Sequence, residues 1–350
     1  MMNSKEMIMN EVELSLESKV PGLFLRGFSG KGDYANILKV INASKVADNL
    51  ERSDTLENIK LYYEHLHNSD PYKDMLFAEV DGEVIAYSRV EWNLNDDGEW
   101  LGFHLCFLHP KYRRKGIGRL ISRYDENRLR QIAEELLEAD KIQTSTPRYF
   151  EVVSSDSEVG KEALMLSEGY QPVRYAFSMQ RSLLEPIEVS PMPPGLEIRP
   201  SLPEHYRTIW DASQEAFQDH WGYIPAPEEE YQKWLKEPIF NPHLWKIAWD
   251  GNQVAGMVLN FIDEKENQEY NRKRGYTEGI SVRRPWRRRG LARALLTRSM
   301  KMFKDMGMTE AALGVDTQNL SGALRLYESV GFHPYKRYTT FRKPLQLTEE

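Results

Sequence analysis

Two stretches of this 350-residue chain place arginine and glycine at a spacing suited to gripping a phosphate: Arg113-Arg114-Lys115-Gly116-Ile117-Gly118 and Arg287-Arg288-Arg289-Gly290-Leu291-Ala292. Each follows an expected strand and precedes an expected amphipathic helix. The first turn of a helix leaves backbone N–H groups unpaired and carries partial positive charge. Glycine lets that backbone approach a ligand, and arginines add charge-assisted hydrogen bonds, so a pyrophosphate can sit there. Three other readings compete. The basic run 283–289 suits a nucleic-acid patch or a solvated turn, and glycines before a helix also mark dinucleotide folds. A net charge of −7 opposes the first, and recurrence of the motif opposes the second. Rossmann glycines open the first βαβ unit, whereas these follow three strands.

The elements that carry the two loops are themselves repeated. Pro21-Gly22-Leu23-Phe24-Leu25-Arg26 recurs as Pro194-Gly195-Leu196-Glu197-Ile198-Arg199, and Asp81-Gly82 before Val84-Ile85-Ala86-Tyr87 recurs as Asp250-Gly251 before Gln253-Val254-Ala255-Gly256. Gly169-Tyr170 is matched by Gly331-Phe332. Matches in the same order at similar offsets indicate two copies of one domain. The proline-rich stretch 186–195 between them reads as a linker, which gives domains at 1–187 and 188–350. Each copy runs as a short strand, a helical region, a hairpin turning on Asp-Gly, and a further strand (102–108 or 276–282) into the loop. An amphipathic helix follows, with Ile117, Leu120, Ile121 and Tyr124 or Leu291, Leu295, Met302, Phe303 and Met306 on its apolar face. In the second copy that helix ends at Gly307, before a strand at 311–315. The fold class is α/β with a mixed sheet.

One cysteine, Cys106, excludes an internal disulfide and reads as a packed small residue rather than a nucleophile. The eight histidines show no metal-ligand spacing. No run approaches a membrane span or a signal peptide, so the expected setting is cytoplasmic, with no nucleic acid or membrane as partner.

Both copies resemble the GNAT superfamily of acyl-CoA N-acyltransferases, whose signature is the R/Q-x-x-G-x-G/A loop. The second copy also resembles it over Asp316-Thr317-Gln318-Asn319 and Gly322-Ala323-Leu324-Arg325-Leu326-Tyr327-Glu328-Ser329-Val330-Gly331-Phe332. The tandem layout, with Glu215-Ala216-Phe217-Gln218-Asp219-His220-Trp221-Gly222, is similar to mycothiol-synthase-like tandem GNAT proteins. The resemblance implies two tandem GNAT folds, acetyl-CoA or another acyl-CoA as co-substrate, no metal, and a small-molecule amine as acceptor. It implies that Ile280, Ser281 and Val282 meet the pantetheine arm and thioester, that Leu108 stands at the matching place in the first copy, and that Arg287 to Ala292 and Arg113 to Gly118 hold the pyrophosphate. Asn319 would contact the cofactor, and Tyr327 would protonate the leaving thiolate.

An ammonium acceptor must lose a proton before it attacks, which calls for a base. Glu278, on the strand two residues before Ile280, is the candidate; Asp219, His220 or a chain of waters are alternatives, and so is a merely exposed carboxylate. Trp210, Phe217, Trp221, Tyr223, Tyr231 and Trp234 suit either an aromatic acceptor pocket or the packing of two helices.

Aligning the copies on their Gly-aromatic pairs sets Met165 opposite Tyr327 and Ser157 opposite Asn319. The second copy is therefore expected to be the catalytic one. The first keeps its loop, either to hold CoA or as a well-made turn. A CoA-binding regulatory or scaffold protein without turnover is the competing function, as monomer or homodimer in either case.

Overall fold

The computed structural model describes residues 20–319 and 321–347. By contact the chain forms two compact units, Met1–Val173 with Thr340–Glu350, and Arg174–Thr339. Residues 174–187, on the first-domain side of the boundary expected from sequence, thus pack in the second unit. The chain returns to the first unit after residue 339.

The first unit carries β1 (Leu23–Arg26), α1 (Asp33–Ala47), α2 (Leu56–Glu64), α3 (Pro71–Asp74), β2 (Met75–Val80), β3 (Glu83–Leu94), β4 (Trp100–Leu108), α4 (Ile117–Glu138), β5 (Arg148–Ser155) and α5 (Val159–Ser167). Strands β1 to β4 pair antiparallel in chain order, and β4 pairs parallel with β5. The β2–β3 turn is Asp81-Gly82, both at positive φ (52° and 79°), as a tight hairpin requires. Helix α4 packs on the sheet through Ile117, Ile121, Leu129, Ile132 and Leu136 at helical spacing. The core also takes Phe341 and Leu345 from the returning chain.

The second unit begins within β6 (Gln171–Ser182) and continues with β7 (Glu197–Arg199), α6 (Tyr206–Phe217), α7 (Glu228–Trp234), β8 (Lys246–Asp250), β9 (Gln253–Phe261), α8 (Glu264–Glu269), β10 (Arg274–Val282), α9 (Leu291–Asp305), β11 (Glu310–Asp316), α10 (Ala323–Ser329) and β12 (His333–Pro344). Its ladder repeats the first: β7 to β10 antiparallel, then β10 parallel with β11, with β6 closing antiparallel on β11. The hairpin turns on Gly251-Asn252, one residue beyond the expected Asp250-Gly251, because Asp250 still pairs with Gln253. Helix α9 buries Leu291, Leu295, Met300 and Phe303, but Met306 stays 48% exposed at its end rather than facing the core. Gly307 terminates the helix at φ 83°. Among the described residues no helix is long and apolar enough to cross a membrane.

Candidate active site

Strand β10 pairs with β11 only from Arg274 to Tyr276, opposite Glu310 to Ala312. Beyond Tyr276 the two strands part. The cause lies on the other edge of β10, where the register against β9 slips between Glu278 and Ser281 around Gly279, at φ 55°. A bulge of this kind bends a strand and re-aims its side chains. Glu278 is re-aimed across the gap, where its Oε1 accepts the Gly314 N–H at 2.8 Å. Burial pushes the Glu278 carboxyl up to about 7, against the opposing pull of that hydrogen bond.

Tyr327, on α10, is buried at 5% exposure. Burial and the charge of Glu278 both raise its hydroxyl above the ordinary tyrosine range, so it stays protonated. Among the described residues no hydrogen-bond partner engages that hydroxyl, and the ring packs edge-on against Phe332 at 6.4 Å. Ile280 and Val282 are partly buried in apolar clusters, while the buried Ser281 Oγ has no partner among the described residues. Asn319 accepts from the Ser321 N–H at 2.8 Å, and its amide nitrogen lies 3.5 Å from His220 Nε2.

The loop after β10 adopts nearly the same backbone as the loop after β4. Arg113 and Arg287 lie at φ −69° and −64°, Arg114 and Arg288 at 61° and 59°, and Gly116 and Gly290 at 88° and 82°. Each glycine caps its helix in a left-handed conformation and no side chain caps it, so the first-turn N–H groups face outward. Leu291 and Ile117 are buried by their side chains and offer only main-chain groups, whereas Ala292 and Gly118 are partly buried in the first turn.

The arginines expected to grip a pyrophosphate divide into two sets. Arg287 is held at three points: Nε donates to Val282 O (2.8 Å), Nη1 to Asp219 (2.5 Å) and Nη2 to Ala216 O (3.2 Å). Arg113 repeats this, with Nε on Leu108 O (3.2 Å) and both terminal nitrogens on Asp48 (2.5 and 2.7 Å). Leu108 and Val282 therefore serve the loop through their carbonyls. Arg288, Arg289 and Arg114 are exposed and, among the described residues, make no ion pair. Lys115 is exposed too, its ammonium 5.3 Å over the Tyr112 ring. The rest of the basic run is occupied, with Arg283 on Glu215 and Arg284 sharing Asp219 with Arg287, so two carboxylates offset part of the charge a nucleic-acid patch would use.

Of the alternative bases, Asp219 is held well below the usual carboxylate range by Arg284 and Arg287 and makes a poor proton acceptor. His220 is lowered chiefly by burial, which favours neutral imidazole. Trp210 packs on Tyr231 (5.6 Å) and Trp234 (5.3 Å), and Trp234 stacks on Trp245 (5.1 Å), so these rings join helices α6 and α7 to the sheet. Trp221 differs: it is 38% exposed beneath Arg174, at 5.0 Å.

The first unit keeps a cavity of about 570 Å³ bounded by Leu108, Arg113, Gly116, Gly118, Cys106 and Met165. Burial pushes the Cys106 thiol up to about 12, consistent with a packed, unreactive group. Met165 O accepts the Tyr170 N–H at 3.0 Å just as Tyr327 O accepts the Phe332 N–H at 3.0 Å, so the two residues hold equivalent positions. Ser157, opposite Asn319, instead meets Ser155 Oγ at 3.0 Å. Strand β4 has no bulge. With Leu108 facing Ala86 as Val282 faces Gly256, Leu105 faces Arg89 where Glu278 faces Leu259. Leucine thus stands at the place of the carboxylate.

Neither Asp48 nor the bulge was among the sequence expectations, and Asp219 was expected there only as an alternative base, not as the partner of Arg287. Glycine inside the strand pattern, directly after Glu278, was the available signal for the bulge.

The acetyltransferase (GNAT) family model matches residues 42–145 and 206–332. A mycothiol acetyltransferase from Salinispora arenicola is 23% identical over 314 residues, covering 89% of this chain and 93% of the relative. Among solved structures, a GCN5-related N-acetyltransferase from Sphaerobacter thermophilus aligns with a TM-score of 0.69 at 24% identity, over 94% of this chain and 98% of the other. A tandem GNAT protein from the clavulanic acid biosynthesis pathway aligns with a TM-score of 0.63 at 13% identity, over 93% and 100%.

Proposed function

This chain belongs to the acetyltransferase (GNAT) family, and from that premise we propose that its second unit transfers the acetyl group of acetyl-CoA to the primary amine of a small molecule by direct attack in a ternary complex. The observation that carries this reading is the placement of Glu278 and the unengaged Tyr327 hydroxyl around the parted end of β10 and β11, beside the Arg/Gly loop. The first-turn N–H groups of α9 with Arg288 and Arg289 hold the pyrophosphate, and Arg287 shapes the loop. Ile280, Ser281 and Val282 lie along the pantetheine arm, with a backbone N–H to stabilise the oxyanion. Asn319 contacts the cofactor from the turn before α10.

Glu278 takes a proton from the ammonium, directly or through water, and the neutral nitrogen bonds to the thioester carbonyl carbon. The C–S bond then breaks, Tyr327 delivers a proton to sulfur, and the second proton that the nitrogen sheds on becoming an amide restores the tyrosine hydroxyl through water. The two groups are linked electrostatically. Negative charge on Glu278 helps to hold the Tyr327 proton. Once Glu278 is protonated that charge is gone, and Tyr327 becomes more acidic just as the thiolate develops.

The first unit, with Leu105 and Met165 in the two catalytic places, holds CoA in its cavity without turnover, a regulatory or structural role. The test is thiol release from acetyl-CoA against a panel of amines that includes the acceptor of mycothiol acetyltransferases, polyamines, amino-acid conjugates and peptide N-termini. Native mass spectrometry counts bound CoA. No release with any amine, despite CoA binding, would leave only the regulatory reading standing.

A further inference from the structure

We propose that Asp219 is a positioning residue for acyl-CoA binding, holding the Arg287 fork so that the β10 end, the loop and the segment after α6 act as one body. The proposal rests on the assignment of the second-unit loop to acyl-CoA.

The geometry is specific. Arg287 reaches three elements: β10 through Val282 O, the last turn of α6 through Ala216 O, and the turn beyond it through Asp219. A guanidinium presents its donors in a fixed planar fork, so satisfying three acceptors fixes where the loop begins. Asp219 also accepts from Arg284, through Nε at 3.1 Å and through a second, shorter contact from Nη2. Arg283 binds Glu215 one turn earlier on α6 (2.8 Å). Without Asp219, Arg284 and Arg287 would lose their carboxylate and repel one another beside Arg288 and Arg289.

The first unit supplies an independent instance. Asp48, immediately after α1, takes both terminal nitrogens of Arg113 while Arg113 Nε holds Leu108 O. The same joint thus stands at the same place in both loops. In the second unit it extends further, since His220 follows Asp219 and approaches Asn319, the turn that leads into α10 and Tyr327. Asp219 therefore lies between the phosphate end of the site and its catalytic end.

The experiment uses the intact chain and three variants: Asp219→Asn, Asp219→Glu, and Asp211→Asn, which removes a more exposed carboxylate paired with Arg207 on α6. Steady-state kinetics, calorimetric titration with CoA and thermal melting are read on each. Asp219→Asn should raise KM for acetyl-CoA and weaken CoA binding on the order of tenfold, with kcat within about twofold, as expected for loss of a charge-assisted pair. Asp219→Glu should recover most of that loss, and Asp211→Asn should match the wild type. Unchanged CoA affinity in Asp219→Asn, or a fall in melting temperature with KM unaltered, would overturn the proposal. If the wild type releases no thiol but binds CoA, the acyl-transfer reading fails while the titration still decides the role of Asp219.

Discussion

The Gly314 N–H donates to Glu278 Oε1 at 2.8 Å across the gap where β10 and β11 part. That bond anchors one carboxylate oxygen to β11, while burial keeps the proton on the group until near neutral pH. A base that titrates near the working pH combines a usable population of the basic form with a useful affinity for the proton. Glu278→Gln should therefore lower kcat/KM by roughly 10²-fold and abolish the rise in rate that the wild type shows as pH climbs through about 7. A pH–rate profile in which the rise persists would move the base elsewhere, with neutral His220 first in line.

The same residue sets a pH dependence of stability. Glu278 titrates at about 7 in the folded protein against an ordinary 4.5 when unfolded. The folded state binds the additional proton, so the contribution is fully present below 4.5 and is lost as pH rises through 7. Glu278→Gln keeps an acceptor for Gly314 and carries no charge. Its melting temperature should gain a few degrees over the wild type at pH 8.5 and little at pH 4.5. Equal differences at the two pH values would show that Glu278 is not ionising in a buried setting.

Tyr327→Phe removes a hydroxyl that engages no partner among the described residues and leaves the ring packing on Phe332 intact. The fold should be indifferent, and kcat should fall by roughly 10²-fold or more with KM for acetyl-CoA unchanged. Full kcat across the pH range would return Tyr327 to a packing role.

Blocking each loop in turn separates the two units. A Cβ placed on Gly116 or Gly290 meets no atom within 4 Å, so a side chain there starts out into open space, at the strain cost of positive φ. In the intact chain, Arg113→Ala with Gly116→Trp should leave turnover in place, and Arg287→Ala with Gly290→Trp should abolish it. The reverse outcome would place the chemistry in the first unit.

The loops and the repeat were legible because they depend on local chemistry: Arg and Gly at fixed offsets, Asp-Gly at a hairpin, a Gly-aromatic pair closing a helix. Tyr327 followed from the family resemblance, and its counterpart Met165 from aligning the two copies. What the residues did not disclose is set by long-range pairing. A plain count back from the loop puts His104 opposite Glu278, whereas the ladder puts Leu105 there, because β10 is bulged against β9 and β4 is not bulged against β3. The partners of Arg113 and Arg287 lie 65 and 68 residues away, with no spacing rule to announce them. Strand β6, which sequence places before the linker, pairs with β11 from Ala176 to Ser182 and so joins the other unit.

The return of the chain to the first unit inverts the order in which the molecule can be finished on the ribosome. Phe341 and Leu345 complete the first core, Leu345 N–H donates to Arg148 O (2.9 Å), and Arg342 seals a buried pair with Glu151 (2.6 Å). Residues Arg174–Thr339 emerge before those partners do. At translation speeds of about 5–20 residues per second the first half waits roughly ten to thirty seconds with β5 lacking its neighbour. An unpaired strand edge is a template for pairing with other chains. A premature stop just before residue 340 would make that transient exposure permanent, so even a short truncation should drive nascent protein into aggregates although Glu278 and Tyr327, the groups proposed to be catalytic, have already been synthesised.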